Sequence, residues 1–321
     1  MNLLGDPAGS PRPVTETAVR PHWTSLPATV QEWAQDQFGS AVVGSQSQRS
    51  GYTPGFASRI LLADGRRLFV KIAGFGRDWL VESYGMEAAK RRTLPDTVPA
   101  PRLIADARAR LDDQDWLLMI FDDVDGRPPR RPWTTDDVMA AVAAVEAAAQ
   151  ALTPAPAGFD WLPMSVEIGG LSPDKAETID RDYAEHADEL RELVAAAGEL
   201  CTGDTLVHAD LRDDNMIIDL GGRAWICDWT FPLLGKPFVD LATLLISVVG
   251  DGLDADRILA RSPLVEPGDA DAIDALLADL MLYYRIASQR PDPDSSPHLR
   301  AHQGHSGRVI GHWLATRRSW R

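Results

Sequence analysis

The chain has 321 residues, of which 45% are hydrophobic and 25% are charged, a balance that excludes a disordered polymer and a membrane protein. At roughly 150 residues per domain, this length allows two domains or one large bilobal fold. The formal net charge of −15 argues against a nucleic-acid partner and suits a cationic substrate.

The first part of the chain is predicted to alternate between a loose leader, a helix and strands. Residues 1–22 are Pro-rich without an apolar run, which indicates a leader and not a secretory signal, and we expect a cytoplasmic protein without a membrane partner. Residues 27–38 have the apolar spacing of a helix. Two apolar runs then flank Asp64-Gly65, which predicts a β-hairpin. A helix is expected over residues 79–92, before a proline cluster.

Beyond this helix, two further strands are predicted, and the remainder of the chain is mostly helical. The runs RLIADA and DWLLMIFDDV predict two more strands, and they complete a β-rich region at residues 23–124. A Gly- and Pro-rich connector opens the remainder, residues 125–321, which interrupts its helices with one β segment at 205–229. Helices are predicted over residues 135–152, 178–200, 239–249, 268–289 and 307–318, the first of them capped by Thr134 or Thr135. The fold class is therefore α+β with two lobes.

Candidate chemistry is concentrated in the segment LVHADLRDDNMIIDLGGRAWICDW. Two apolar runs flank Gly221-Gly222, which predicts a hairpin with a two-residue turn. Asp210 and Asn215 precede the first strand, and Asp228 ends the second, so the hairpin returns its carboxylate to the same loop. Carboxylate and amide oxygens are ligands that Mg²⁺ accepts, and Asp210 is placed to orient and deprotonate a hydroxyl group.

The spacing of His208, Asp210 and Asn215 is specific, because this pattern is expected by chance only about 0.005 times in a chain of this composition. It resembles the catalytic loop of the protein-kinase-like fold, and Asp228 resembles the metal-binding aspartate of that fold. The resemblance implies a small β-rich N-lobe with one key helix and a larger helical C-lobe. It also implies ATP or GTP with Mg²⁺ as cofactors, Asp210 as the catalytic residue, Asn215 and Asp228 as metal ligands, and a structural role for His208.

A kinase-like N-lobe should supply a lysine on its third strand and an acidic partner on the next helix. Lys71 is one of four lysines in the chain and ends the second strand of the predicted hairpin. Glu87 is the preferred partner, because the sequence after it resembles the family's helix and proline-rich turn. Glu82 is the rival. The two glutamates are five residues apart and lie on different faces of a helix, so only one of them can face Lys71.

The resemblance also places two nucleotide-binding segments. GYTPGFAS lies where backbone amides of a turn cover phosphates, although it lacks the G-x-G-x-x-G pattern. LLMIFDDVDG resembles the hinge between the lobes, where a carbonyl and an amide contact adenine; Asp122 and Asp123 are otherwise exposed turn acids. The candidates are Ser50, Thr53 and Gly55 in the first segment and, in the second, Phe121 beside the ring, the Asp122 carbonyl and the Val124 amide.

Departures from the protein-kinase pattern indicate the subfamily. Asp228 is followed by Trp229-Thr230, and DWTFPLLGKPFVDLATLL runs directly into a helix without an activation segment. This arrangement resembles aminoglycoside phosphotransferases and the choline-kinase-like group, from about Gly51 to Leu245. Asp240, in VDLA, matches a structural aspartate of that family, expected to be an N-cap and a tie to the catalytic loop.

The expected function is therefore ATP- and Mg²⁺-dependent phosphorylation of a hydroxyl group on a small cationic molecule, such as an aminoglycoside-like antibiotic. Asp213 and Asp214 are weak candidates for binding this substrate. A metabolic kinase that acts on choline, homoserine or a sugar derivative is the alternative within this class. A nucleotide-binding pseudokinase scaffold is the alternative outside it. The sequence leaves the oligomeric state open.

Overall fold

The protein is described by a computed structural model that covers residues 19–48 and 53–320. Within these ranges, no helix has the length and apolar character needed to cross a membrane. The longer strands all lie before residue 123, and most of the helices follow them. The chain therefore forms the expected β-rich N-lobe and helical C-lobe.

The N-lobe contains one antiparallel sheet in the order β1-β2-β3-β5-β4. Asp64-Gly65 joins its second and third strands as predicted, with Gly65 at φ 87°. One helix, α1, precedes the sheet, and α2 packs against it through an apolar cluster that includes Leu80, Val81 and Tyr84. The elements are α1 (Ala28–Phe38), β1 (Val42–Ser47), β2 (Phe56–Leu62), β3 (Arg67–Ala73), α2 (Asp78–Thr93), β4 (Leu103–Leu111) and β5 (Gln114–Asp122).

The C-lobe encloses the largest apolar core, which helices and three short β-pairings share. Its first strand, β6 (Gly126–Arg127), pairs with β8 (Met216–Asp219), so the connector from the N-lobe is fixed to the candidate chemical segment, residues 206–229, which we call the catalytic segment. The division of the chain at residues 124 and 125 stays a prediction. The elements are β6 (Gly126–Arg127), α3 (Thr135–Ala151), α4 (Pro173–Asp182), α5 (Ala187–Cys201), β7 (Thr205–Val207), β8 (Met216–Asp219), β9 (Ala224–Ile226), β10 (Leu233–Gly235), α6 (Phe238–Gly250), α7 (Ala255–Leu259), α8 (Ala270–Ala287) and α9 (Leu299–Arg317).

Several boundaries differ from the predictions for physical reasons. The helix expected over 178–200 is two helices, because Tyr183 leaves the helical conformation where Asp182 pairs with Arg285 of α8 at 2.8 Å. The final helix begins at Leu299, eight residues earlier than expected. The turn at Gly221-Gly222 has three residues, since the Asp219 N–H donates to the Arg223 carbonyl at 2.9 Å. A short helix, α7, was not predicted.

The predicted loose leader, residues 1–22, stays a prediction, because the structure describes only its last four residues. Residues 1–18 lie outside the described part of the chain, but residues 19–22 make contacts. The Val19 N–H donates to the Ser295 carbonyl at 3.0 Å. Next to this segment, the Trp23 ring lies against Phe38 and Phe56, with centroid distances of 6.3 and 6.1 Å. The end of the leader is therefore attached to both lobes.

Candidate active site

The catalytic segment is held by a buried carboxylate. Asp240 accepts hydrogen bonds from the backbone N–H groups of His208 (2.7 Å) and Ala209 (2.9 Å). The His208 ring is fully buried and lies 2.8 Å, through Nε2, from the Cys227 carbonyl. Burial raises the pKa of Asp240 above its usual value, although His208 and the two backbone hydrogen bonds act in the opposite direction. Asp240 is the third residue of α6 and not its N-cap, so only the predicted tie to the loop is present.

Asp210 projects from this fixed loop with its side chain 43% exposed. The Asn215 amide donates to the Asp210 carbonyl at 2.9 Å, which fixes the backbone beneath the carboxylate. Arg212 pairs with the Asp210 carboxylate and, at 2.9 Å, with Asp214. Because the backbone is fixed and the carboxylate is partly exposed, Asp210 can meet a hydroxyl group from the solvent side.

Asn215 and Asp228 are brought together by the β8–β9 pairing. The Cys227 N–H donates to the Asn215 carbonyl at 2.8 Å, which places Asp228 beside Asn215. Asp228 has a left-handed φ of 67°, and Thr230 donates to its Oδ1 at 2.9 Å. No group of three or more His, Cys, Asp and Glu side chains in the described ranges could hold a metal alone. One carboxylate and one amide oxygen still fit Mg²⁺, which completes its shell with phosphate oxygens and water.

Lys71 joins the N-lobe to this pair. Its ammonium group donates to Glu87 Oε1 at 2.6 Å and to Asp228 Oδ1 at 2.8 Å. Glu87 is 2% exposed, whereas Glu82 lies on the exposed face of the same helix. The predicted pairing of Lys71 with Glu87 is therefore present, and Glu82 is excluded as the partner.

Within this cluster, ion pairing opposes the effect of burial on each charged group. Burial lowers the pKa of Lys71, but Asp228 and Glu87 reverse the effect and raise it above its usual value. Burial likewise raises the pKa of Asp228, yet Lys71 and Thr230 leave it well below its usual range. Burial raises the pKa of Glu87, partly opposed by Lys71. The buried Lys71 ammonium group is therefore held between two carboxylates, one from each lobe.

The Lys71 cluster opens into a cavity of about 160 Å³ between the lobes, which we call the interlobe cavity. Phe121, Asp122 and Val124 line it at the end where β5 finishes, and Thr53 is also part of its wall. Gly55 lies close behind, where an added Cβ would come within 2.5 Å of the Tyr84 hydroxyl. Ser50 lies outside the described residues. The interlobe cavity thus brings together the described candidates for nucleotide binding, with Gly55 just behind its wall.

One alternative interpretation of this end was wrong. Asp123 is not an exposed turn acid, because its side chain is 3% exposed and pairs with Arg59 at 2.7 Å and Arg67 at 2.9 Å. Asp122 remains half-exposed, and its carboxylate contacts Arg102 at 3.2 Å. The two ion pairs of Asp123 fix the chain where it passes from β5 toward the C-lobe.

A second cavity, of about 550 Å³, lies on the other side of the catalytic segment, and we call it the C-lobe cavity. Asp210 and Asp213 line it, whereas Asp214 lines the interlobe cavity. Arg131 pairs with Asp213 and, at 2.7 Å, with Asp251. Most of the remaining wall is apolar, formed by residues such as Met164, Leu211, Phe231, Leu233, Ile246, Leu276, Leu280, Tyr283 and Val309.

Sequence reasoning missed the arginines of the site. Arg212 holds Asp210 and Asp214, and it stands inside the motif itself, so the motif was a sufficient signal. Arg131 reaches the catalytic segment from the Pro-rich connector, and nothing in the local sequence indicates that contact. Arg59 and Tyr84 line the interlobe cavity from β2 and α2 and were not recognised either.

Solved structures that resemble this fold include small-molecule kinases. An aminoglycoside phosphotransferase in complex with ADP and hygromycin B has a TM-score of 0.54 at 16% identity, covering 91% of this chain and 99% of that one. Spectinomycin phosphotransferase has a TM-score of 0.55 at 12% identity, with coverage of 90% and 97%. Choline kinase LicA from Streptococcus pneumoniae has a TM-score of 0.52 at 14% identity, with coverage of 90% and 98%. At such identities, the likeness shows the fold.

The family is shown by sequence. A search of curated proteins returned no match. A family model described as the phosphotransferase enzyme family matches residues 55–276, which is more than half of the chain and includes Lys71, Asp210 and Asp228. The chain therefore belongs to the phosphotransferase enzyme family.

Proposed function

We propose that this protein transfers the γ-phosphoryl group of ATP or GTP to a hydroxyl group of a small molecule, with Mg²⁺ as the metal. The observation that carries the proposal is the convergence of Lys71 with Glu87 and Asp228 across the lobes. Asp210 stands on the far side of the same segment, facing the C-lobe cavity. Donor and acceptor therefore have separate cavities on either side of one fixed loop.

Each residue has a role that follows from its position. Lys71, fixed by Glu87, binds the phosphates of the nucleotide, while the end of β5 contacts the base. Asp210 accepts the proton of the acceptor hydroxyl while the hydroxyl oxygen attacks the γ-phosphorus, and the bond from that phosphorus to the leaving ADP or GDP breaks. Asn215 and Asp228 would hold Mg²⁺, which neutralises phosphate charge. Catalysis is then mainly positioning and electrostatic stabilisation.

The C-lobe cavity narrows the acceptor class. The expected acceptor was cationic, but Asp213 is paired with Arg131 and Asp279 with Lys175, the latter at 2.6 Å. Among the carboxylates of the described wall, Glu167 is the one for which no ion pair is formed. We infer that the acceptor is an antibiotic-like molecule with an apolar face and few positive charges. Nonpolar walls favour such a molecule over a polycation.

A metabolic kinase remains the second candidate. Choline kinase LicA and a fructosamine-3-kinase from Thermobifida fusca share the fold, the latter with a TM-score of 0.52 at 17% identity and coverage of 88% and 98%. A volume of about 550 Å³ exceeds what choline needs, so the cavity favours a larger acceptor. The cytoplasmic location and the absence of a nucleic-acid partner stay predictions.

An acceptor panel tests the proposal. Purified protein, MgATP or MgGTP and single compounds would be incubated, and mass spectrometry would detect a phosphorylated acceptor together with ADP or GDP. The panel includes macrolides, spectinomycin, hygromycin B, polycationic aminoglycosides, choline and homoserine. A phosphorylated macrolide-like compound supports the proposal. Preference for a polycationic aminoglycoside would contradict the inferred acceptor class, and nucleotide binding without transfer to any compound would favour the scaffold.

A further inference from the structure

The end of the leader reaches the interlobe cavity. Arg20 lines this cavity together with Lys71 and Asp228, although about fifty residues separate it from Lys71 in sequence. Its guanidinium Nη1 donates to the Gly55 carbonyl at 3.5 Å. Arg20 is half-buried, so its charge is partly shielded from solvent. A cation from outside the two recognised nucleotide-binding segments thus stands at the wall of the cavity.

The position of Arg20 along the cavity can be read from the sheet. Leu68 pairs with Asp122 at the β5 end, and Lys71 follows three residues later on β3, about 10 Å away. Ala57 pairs with Lys71, so the turn that precedes β2 lies at the Lys71 end of the cavity. Gly55 belongs to this turn, and Arg20 is bound to it.

Tyr84 connects Arg20 to Lys71. The Lys71 ammonium lies 5.4 Å from the centre of the Tyr84 ring. The hydroxyl of the same ring lies beside Gly55, the residue whose carbonyl Arg20 contacts. Two cations therefore stand at the same end of the interlobe cavity. Two other arginines of this cavity lie toward the opposite end. There, Arg59 is paired with Asp123 and Arg127 with Asp137.

The segment that carries Arg20 is fixed on both sides. Val19 is bonded to Ser295 in the connection between α8 and α9 of the C-lobe. Trp23 is 7% exposed in the apolar core of the N-lobe. Anchors one residue before Arg20 and three residues after it limit the reach of its side chain, so Arg20 is presented to the cavity at a defined place.

We propose that Arg20 is a phosphate-binding residue that the N-terminal segment supplies to the nucleotide. The inference rests on the proposed function, because it requires a nucleotide whose base lies at the β5 end and whose phosphates lie at Lys71. An arginine binds phosphate oxygens through charge-assisted hydrogen bonds, and its fork suits two oxygens at once. Arg20 contacts the β- or γ-phosphate and leaves the nucleoside untouched.

Calorimetric titration with adenosine, AMP, ADP and ATP in the presence of Mg²⁺ tests this assignment. In the variant Arg20→Ala, we expect Kd for ATP to rise about tenfold to a hundredfold, the size of a lost charge-assisted contact. Kd for AMP and adenosine should stay within about twofold. Arg20→Gln, which keeps an amide donor for the Gly55 carbonyl, should weaken ATP binding nearly as much, and Arg20→Lys should lie between the two.

Arg77→Ala is the matched control. Arg77 is an exposed arginine that donates to the Pro54 carbonyl at 3.1 Å, in the same turn, but it does not line the cavity. It loses the same charge and a similar bond, so Kd for ATP should stay within about twofold.

Three outcomes would overturn the assignment. One is unchanged ATP affinity in Arg20→Ala and Arg20→Gln, and another is an equal loss for AMP and ATP, which would indicate a role in folding the turn. Absence of nucleotide binding by the unsubstituted protein would instead overturn the proposed function, and with it this inference. Thermal unfolding of each variant identifies any that is not folded, and the remaining Arg20 variants then decide.

Discussion

The two cavities that flank the catalytic segment differ in size and in the chemistry of their walls. The interlobe cavity, about 160 Å³, contains a buried cluster of Lys71, Glu87 and Asp228. The C-lobe cavity, about 550 Å³, is largely apolar, and most of its carboxylates are already paired with arginine or lysine. One side of the catalytic segment therefore offers a buried cluster of charges, whereas the other offers a mainly apolar surface.

The largest expected effect is at Asp210, where a substitution should lower turnover without changing nucleotide binding. Asp210→Asn should reduce turnover on an acceptor found in the panel by about a hundredfold or more, the size of a lost acid-base group. Kd for MgATP should change little, because Asp210 faces the C-lobe cavity. Steady-state kinetics and calorimetry check the two statements. Asp188→Asn, a fully exposed carboxylate, is the control, and near-normal turnover in Asp210→Asn would remove its assigned role.

A double-mutant cycle on the interlobe side should give the next largest effect. Lys71→Met and Glu87→Gln should each raise Kd for MgATP, by about thirtyfold for Lys71→Met. The double variant should be little worse than Lys71→Met alone, because Glu87 acts through Lys71. Glu82→Gln, on the exposed face of the same helix, should have no effect. Additive losses at Lys71 and Glu87 would show that the ion pair does not govern nucleotide binding.

Truncating an aromatic side chain in the wall of the C-lobe cavity should affect only the binding of the acceptor. Phe231 is 64% exposed and lines the C-lobe cavity. Phe231→Ala should raise the acceptor KM by about fivefold, from lost apolar contact, and leave the KM for ATP unchanged. Leu220→Ala, an 84% exposed residue outside both cavities, is the control. A change in the KM for ATP alone would show that the two cavities are not separate in function.

The smallest expected effect concerns the stability of the connector between the two lobes. Arg127 pairs in a bidentate way with Asp137, at 2.7 and 2.8 Å, and the Arg130 N–H adds a third bond. Together they lower the pKa of Asp137 to about 2. A carboxyl whose pKa is lower in the folded protein than in the unfolded chain stabilises the fold. This contribution is complete above the pKa in the unfolded chain, which is near 4, and it is lost as the pH falls toward 2.

Asp137→Asn should therefore lower the free energy of unfolding by about 1–3 kcal/mol at pH 7. The difference from the unsubstituted protein should shrink between about pH 4 and pH 2. Urea unfolding at several pH values measures it. Asp136→Asn, the exposed neighbour, serves as the control. A difference that is constant with pH would show that the charge of Asp137 does not contribute.

The same comparison explains what the sequence could predict. The motif from His208 to Asp228 requires particular oxygen and nitrogen groups at fixed spacing, so the residues beside the catalytic segment could be named in advance. Helix geometry indicated only that one of Glu82 and Glu87 could face Lys71, and the preference for Glu87 came from the resemblance of the sequence after it to the family's proline-rich turn. The walls of the C-lobe cavity come from α4, α6, α8 and α9, which share no spacing rule, and their meeting point depends on tertiary packing. The Arg131–Asp213 pair spans 82 residues, so local patterns cannot reveal it.

The most direct test of the account is the metal dependence of nucleotide binding. Calorimetric titration of ATP would be done with and without Mg²⁺ on the unsubstituted protein and on Asp228→Asn. The account predicts at least about tenfold tighter binding with Mg²⁺ in the unsubstituted protein and loss of this dependence in Asp228→Asn. Binding that is absent, or that is indifferent to Mg²⁺ in both proteins, would contradict the claim that Asn215 and Asp228 form the metal site of a phosphotransferase.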